Sequence, residues 1–121
     1  MILVDTSVWI DHARGRAPHL DDLLRSNVVA QHPFVIGELL LGAVRSRKEL
    51  SVRLGTLLGA TVACDEDVFG LIGDAGLSGT GIGFVDAHLL AAARLSLNGK
   101  LWTHDEKLRA QAGRLGLAYS R

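Results

Sequence analysis

The sequence predicts an α/β fold, a three-layer sandwich in which a short, mostly parallel sheet lies between helices. Short apolar runs of the kind found in buried strands alternate along the chain with longer segments that carry Leu and Val at helical spacing. The chain has 121 residues, of which 48% are hydrophobic, and it contains no repeat or linker. We therefore expect residues 1–121 to form a single domain.

The N-terminal half is predicted to contain two strands and four helical segments. Asp5 ends the first apolar run, and Thr6 or Ser7 is expected to cap the helix that follows. Pro18 and Pro33 each stand where a first helical turn tolerates proline. The expected order is strand 2–4, helix 6–14, a helix from residue 18, strand 27–30, helix 33–47 and helix 48–58.

The C-terminal half continues the alternation around a glycine-rich loop at residues 76–83. Its GxGxG spacing superficially suggests nucleotide binding, but the loop follows a helix and lacks a Gly-Lys-Ser/Thr sequence, so an ordinary loop is expected. Gly59 and Gly116 are expected to end helices, and Asn98-Gly99 to form a turn. The expected order is strand 60–63, a helix capped by Asp65, loop 76–83, helix 84–97, strand 100–103, helix 105–115 and strand 117–119.

The composition excludes several classes of protein. Thirteen basic residues balance thirteen acidic ones, so the chain lacks the overall positive charge of a dedicated DNA-binding domain. Asp5 interrupts the first apolar run too early for a signal peptide, and no apolar segment is long enough to span a membrane. The only cysteine, Cys64, fits a reducing compartment. We expect a cytoplasmic protein.

Four acids lie in apolar surroundings. Asp5 and Asp105 each follow a predicted strand, and they meet if those two strands are neighbours. Asp86 and Glu38 lie in strongly apolar helices, and we expect the Glu38 helix to be buried. Each aspartate has the alternative role of a helix cap, and Glu38 the alternative of a distant charged partner.

Carboxylates gathered at one sheet edge would repel each other unless a proton or a cation relieves the repulsion. Oxygen ligands without cysteine or a spaced histidine pair favour Mg²⁺ or Mn²⁺ over Zn²⁺. An ion held in this way suits the hydrolysis of a phosphodiester.

The ordered set of motifs resembles the PIN-domain family, and most of all the VapC toxins of bacterial VapBC toxin–antitoxin pairs. The motifs are Asp5-Thr6-Ser7-x-Trp9, Glu38-Leu39-x-x-Gly42, Asp86-Ala87-x-Leu89 and Trp102-Thr103-x-Asp105. The resemblance implies a Mg²⁺- or Mn²⁺-dependent endoribonuclease that cuts tRNA or rRNA and leaves a 3′-hydroxyl and a 5′-phosphate. It also implies a homodimer and a small VapB-type antitoxin.

The family motifs give each matching residue an expected role. Asp5, Glu38, Asp86 and Asp105 would be catalytic, and Asp5, Asp86 and Asp105 would bind the metal. Asp5 and Asp86 would be the direct ligands, with Asp105 and especially Glu38 acting through water. Thr6, Ser7 and Thr103 would be supporting hydroxyls. Relatives often begin the Glu38 helix with Ser or Thr, whereas this chain has Gln31-His32-Pro33, which leaves open what caps that helix.

Basic residues supply candidate contacts to RNA or antitoxin: Arg14, Arg45, Arg47, Lys48 and His104. Solvated helix ends explain the arginines and the lysine nearly as well, and an exposed loop position explains His104. The alternative function is a non-catalytic PIN-like module that binds RNA or protein, but such a module is expected to have lost one or more of the four acids. A phosphatase or receiver domain fits poorly, because position 7 is Ser and Lys100 precedes its strand.

Overall fold

A computed structural model describes residues 1–42 and 47–121. The strands are β1 (Ile2–Val4), β2 (Val29–Gln31), β3 (Leu58–Gly59) and β4 (Lys100–Trp102). The helices are α1 (Thr6–Ala13), α2 (His19–Arg25), α3 (Pro33–Leu41), α4 (Arg47–Gly55), α5 (Asp65–Asp74), α6 (Phe84–Leu95) and α7 (Glu106–Arg114). The expected α/β sandwich is confirmed.

The four strands of the described residues form one parallel sheet in the order β3-β2-β1-β4. In this sheet, β1 pairs with β2 on one side and with β4 on the other, with Leu3 opposite Leu101 and Val4 opposite Trp102. The pairing runs one residue further, because the Asp5 amide donates to the Trp102 carbonyl at 2.9 Å. The residues that follow β1 and β4 therefore come out side by side, at the carboxyl edge of the sheet.

Helix α6 packs against this part of the sheet, where it contacts β1 and β4. Its residues from Ala87 to Ala93 are all buried, and four of these seven are alanines. Small side chains let the helix approach the strands closely, so α6 brings its first turn, with Asp86, towards the ends of β1 and β4. No helix among residues 1–42 and 47–121 is long and apolar enough to cross a membrane.

Several predicted element bounds are wrong. Helix α3 ends at Leu41 instead of residue 47, and α4 ends at Gly55 instead of residue 58, so Gly59 lies in β3 and does not end a helix. The second strand lies at Val29–Gln31 instead of 27–30, and the third at Leu58–Gly59 instead of 60–63. The expected strand 117–119 is reduced to a parallel bridge between Ala118 and Leu101. These segments are short or lie at a helix end, where local sequence constrains the backbone least.

Two predicted helix caps are also wrong. Helix α1 is capped by Asp5 and not by Thr6 or Ser7, and α5 is capped by Cys64, one residue before Asp65. The structure does explain the unusual start of α3. His32 is its N-cap, and the Nδ1 atom of the buried His32 ring accepts a hydrogen bond from the Phe34 amide at 3.0 Å.

Candidate metal and active site

Asp5 is buried at the end of β1, and its carboxylate is held by two hydroxyl groups. Ser7 Oγ and Thr103 Oγ1 each donate to Asp5 Oδ2 at 2.8 Å. The backbone of Asp5 begins α1, but its side chain makes no capping hydrogen bond to that helix. The alternative role of a helix cap therefore does not account for the Asp5 side chain.

Ser7 and Thr103 also join neighbouring backbone to Asp5. Ser7 Oγ accepts a hydrogen bond from the His104 amide at 3.0 Å, and Thr103 Oγ1 accepts one from the Asp105 amide at 3.0 Å. The two hydroxyl oxygens lie 3.3 Å apart. Since each hydroxyl has one hydrogen to donate, these amides leave that hydrogen for Asp5.

Asp86 lies half-buried in the first turn of α6. Its Oδ2 accepts a hydrogen bond from the Gly83 amide at 3.1 Å, so Asp86 does cap the helix. Burial raises the pKa of the Asp86 carboxyl, the Gly83 hydrogen bond opposes that change, and the negative charges of Asp5 and Asp105 raise the pKa further. Asp5 and Asp105 therefore lie close enough to Asp86 for their charges to act on its carboxyl.

Asp105 is the exposed N-cap of α7. Its Oδ1 accepts a hydrogen bond from the Leu108 amide at 2.9 Å. Capping through one oxygen does not use the other, because a carboxylate has two acceptor atoms. We call Asp5, Asp86 and Asp105 the acidic site.

The expectation of a buried Glu38 is wrong. Glu38 is exposed, and its Oε1 accepts a hydrogen bond from Thr6 Oγ1 at 3.1 Å. Helix α3 buries Val35 and Leu39 but leaves Leu41 87% exposed, so an apolar sequence does not make this helix buried all round. Glu38 is connected to the acidic site through Thr6, the chain neighbour of Asp5.

His104 is neither free in a loop nor isolated from the site. Its Nδ1 lies 2.6 Å from Asp11 Oδ2, and its ring packs edge-on against Trp102. Asp11 was missed by the sequence reasoning. The available signal was its position four residues after Ser7, on the same face of α1.

Of the basic candidates, the structure describes the side chains of Arg14 and His104. Arg14 is exposed at the C-terminal end of α1. Arg45 lies outside the described residues, while Arg47 and Lys48 are placed by their backbone at the start of α4. The glycine-rich segment is a loop, as expected, and it ends at Gly83, which caps α6.

The donor set fits a hard divalent cation, because the acidic site and its supporting groups offer only oxygen atoms. Among residues 1–42 and 47–121, no three His, Cys, Asp or Glu side chains lie close enough to form a ready metal cage. Mg²⁺ usually keeps several waters and takes one or two carboxylates. The acidic site therefore suits an ion bound partly through water.

The family model described as PIN domain matches residues 2–114 of this chain. The chain belongs to the PIN-domain family. Ribonuclease VapC32 of Mycobacterium tuberculosis, from strains CDC 1551 and H37Rv, is 41% identical over 118 residues, covering 98% of this chain and 95% of the relative. This similarity makes the chain a VapC-type member.

Solved structures share the fold at lower identity. PAE2754 from Pyrobaculum aerophilum has a TM-score of 0.63 and 23% identity, covering 91% of this chain and 78% of its own. FitAcB from Neisseria gonorrhoeae has a TM-score of 0.64 and 20% identity, covering 93% and 94%. At these identities the likeness concerns the fold alone.

Proposed function

We propose that this protein is a divalent-metal-dependent endoribonuclease and the toxin of a VapBC-type toxin–antitoxin pair. The observation that carries the proposal is the acidic site, where two hydroxyls hold buried Asp5, and where burial and, to a smaller extent, the charges of Asp5 and Asp105 raise the pKa of Asp86. Family membership supports it, as does the relative named Ribonuclease VapC32. The chain acts as one domain over residues 1–121.

Asp5, Asp86 and Asp105 would hold Mg²⁺ or Mn²⁺. The bound ion would supply an activated water and stabilise negative charge on the phosphodiester oxygens. Ser7 and Thr103 orient the Asp5 carboxylate by donating to Oδ2. Glu38, oriented by Thr6, would act through water as the fourth catalytic acid.

The substrate in this proposal is tRNA or rRNA, cut to leave a 3′-hydroxyl and a 5′-phosphate. The partners are a VapB-type antitoxin and a second copy of the chain in a homodimer. Because the acidic site itself repels a polyanion, contacts to RNA or antitoxin are assigned in this proposal to the basic candidates: Arg14, Arg45, Arg47, Lys48 and His104.

Cleavage of RNA by purified protein tests the proposal. Wild type is incubated with total RNA and Mg²⁺ or Mn²⁺, with and without EDTA, beside Asp5→Asn and Asp86→Asn. We expect cleavage by wild type that EDTA abolishes, and a loss of at least about 100-fold in both variants. Asp74→Asn, an exposed acid at the end of α5, is the matched control and should cleave as wild type does.

Cleavage that persists in chelator and in both site variants would contradict the proposal. Wild-type protein that binds RNA without cutting it would instead support the non-catalytic module.

A further inference from the structure

We propose that Asp11 and His104 form a positioning pair that keeps the two hydroxyls on Asp5 and thereby sets the affinity of the acidic site for a divalent cation. This inference rests on the proposed function. Neither residue belongs to the acidic site, and only His104 is suggested by the sequence, as an RNA or antitoxin contact.

The segment after β4 contacts α1 through Thr103, whose hydroxyl oxygen lies 3.3 Å from that of Ser7, and through two groups of His104. Its backbone amide donates to Ser7 Oγ at 3.0 Å, and its ring Nδ1 contacts Asp11 Oδ2 at 2.6 Å. Ser7 and Asp11 are one helical turn apart, so they present adjacent groups to the same loop residue. The Asp11–His104 pair thus fixes the distance between the Ser7 hydroxyl and Thr103, the residue before His104.

The direction of the hydrogen bonds is also fixed. A carboxylate only accepts, so Nδ1 of His104 carries the hydrogen in this pair whatever the charge of the ring. The His104 amide occupies a lone pair of Ser7 Oγ, which leaves the hydroxyl hydrogen for Asp5 Oδ2. The Ser7 and Thr103 hydroxyls then donate to the same oxygen of Asp5, so its carboxylate is oriented from two sides.

The exposure of the pair argues that its role is position and not stability. The side chains of His104 and Asp11 are 32% and 28% exposed. Ion pairs with this much contact with solvent contribute little to the free energy of folding. Groups that orient a metal ligand, in contrast, change metal affinity about 10- to 100-fold when they are removed.

Mn²⁺ binding by the RNA-free protein, measured by isothermal titration calorimetry, tests the pair. We expect His104→Ala to weaken Mn²⁺ binding about tenfold. His104→Asn should bind within about threefold of wild type, because its amide nitrogen can replace Nδ1, whereas His104→Gln, whose amide reaches further, should resemble His104→Ala.

The matched control is His12→Ala. His12 makes a second histidine–aspartate pair from α1, with Nε2 2.9 Å from Asp21 Oδ1, but among residues 1–42 and 47–121 no side-chain hydrogen bond of His12 leads to Asp5. This variant should bind Mn²⁺ as wild type does. In a double-mutant cycle, Asp11→Ala combined with His104→Ala should be no weaker than the weaker single variant, because the two side chains act as one unit.

Two results would overturn the inference alone: His104→Ala that binds Mn²⁺ with wild-type affinity, or asparagine and glutamine variants that lose affinity equally. A melting temperature lowered by His104→Ala with unchanged Mn²⁺ affinity would show a structural role only, and would also overturn it. Wild-type protein that neither binds Mn²⁺ nor cleaves RNA would overturn the proposed function itself.

Discussion

The three aspartates of the acidic site differ in what occupies their carboxylates. One oxygen of Asp86 and one of Asp105 accept a hydrogen bond from a backbone amide at a helix N-terminus. One oxygen of Asp5 instead accepts hydrogen bonds from two hydroxyls. From the sequence, helix capping and metal binding were alternative roles for each aspartate. A carboxylate has two oxygens, so a cap that positions one oxygen leaves a rigidly held second oxygen. At Asp86 and Asp105, capping and metal binding are compatible.

Glu38 shows where reasoning from single residues fails. Its burial was predicted from the apolar residues around it in sequence, yet it is exposed because α3 covers the core with only one face. Which face of an apolar helix meets the core depends on packing partners far along the chain. When a helix is apolar on every side, its hydrophobic pattern does not indicate which face packs against those partners.

His32 gives the fold a sensitivity to acid. Burial lowers its pKa from 6.5 to about 4, with a smaller contribution from the nearby His88, and its Nδ1 is already used as the acceptor that caps α3. The folded state therefore disfavours the protonated ring. The stabilisation is complete above the unfolded pKa of 6.5 and is lost as the pH falls towards 4, which amounts to about 2 to 3 kcal/mol.

The matched variant is His32→Asn, because asparagine can accept the same hydrogen bond from the Phe34 amide but does not titrate. Urea denaturation at pH 7.5 and about pH 4.5 should show a smaller loss of unfolding free energy in the variant than in wild type, by about 2 kcal/mol. Comparing the two proteins removes the shared contribution of the other four histidines. Equal losses in both would contradict the assignment.

At the scale of elements, the prediction succeeded where the local sequence signals are strong. β1, α6 and α7 lie where apolar runs, a glycine loop and an aspartate cap indicated them. β3 is only two residues long, and it pairs with β2 through Ala30 and Gln31, which lie 28 positions from their partners Leu58 and Gly59 in sequence. The short bridge at Ala118 likewise depends on β4. Such elements form only by pairing with distant strands, so the prediction from local sequence placed them wrongly.

The turn between α6 and β4 depends on the absence of a side chain at Gly99. A Cβ atom there would lie 2.0 Å from the Ala93 carbonyl oxygen and 3.1 Å from that of Ser96, so backbone would have to move. We expect Gly99→Ala to lower the free energy of unfolding by about 3 kcal/mol or more. The measurement is chemical denaturation at neutral pH.

Gly113→Ala is the control for that substitution. Gly113 lies in α7, and, in the part of the chain that the structure describes, a Cβ there would meet no heavy atom within 4 Å outside its chain neighbours and the backbone of its own helix. Since alanine is the better helix former, this variant should be more stable than wild type by about 0.5 to 1 kcal/mol. If both variants changed stability in the same direction, close approach would not be the reason for Gly99.

At the scale of the molecule, strand order creates the site. Ser7 and Thr103 are 96 positions apart in sequence, yet their hydroxyl oxygens lie 3.3 Å apart because β1 and β4 are neighbours. The sequence supported this only conditionally: if the strand after Gly99 lay beside the first, Asp5 and Asp105 would meet. A pattern of alternating strands and helices fixes the class of sheet but not the order of its strands. The candidate acids could be identified from the sequence, but the distances between them could not be predicted.

The folded state tolerates the acidic site at a cost in stability that a cation should remove. Because burial and two neighbouring charges raise the pKa of Asp86, its ionised form destabilises the folded chain near pH 7, and that penalty is lost as the pH falls through its folded pKa. In EDTA, Asp86→Asn should therefore melt above wild type. Its amide oxygen can still accept from Gly83.

Adding Mn²⁺ should reverse that order. An ion at about 100 times its dissociation constant stabilises wild type by about 2.7 kcal/mol, whereas Asp86→Asn, with one ligand fewer, gains less. Differential scanning calorimetry with and without Mn²⁺ measures both effects, and Mn²⁺ should raise the melting temperature of Asp74→Asn as much as that of wild type.

If Mn²⁺ raised the melting temperatures of wild type and Asp86→Asn equally, Asp86 would not contribute to metal binding. A lower melting temperature of Asp86→Asn in EDTA would show that its charge does not oppose folding. Because stability and metal binding are read from one pair of scans, the strain among the acids and their use as ligands are tested together.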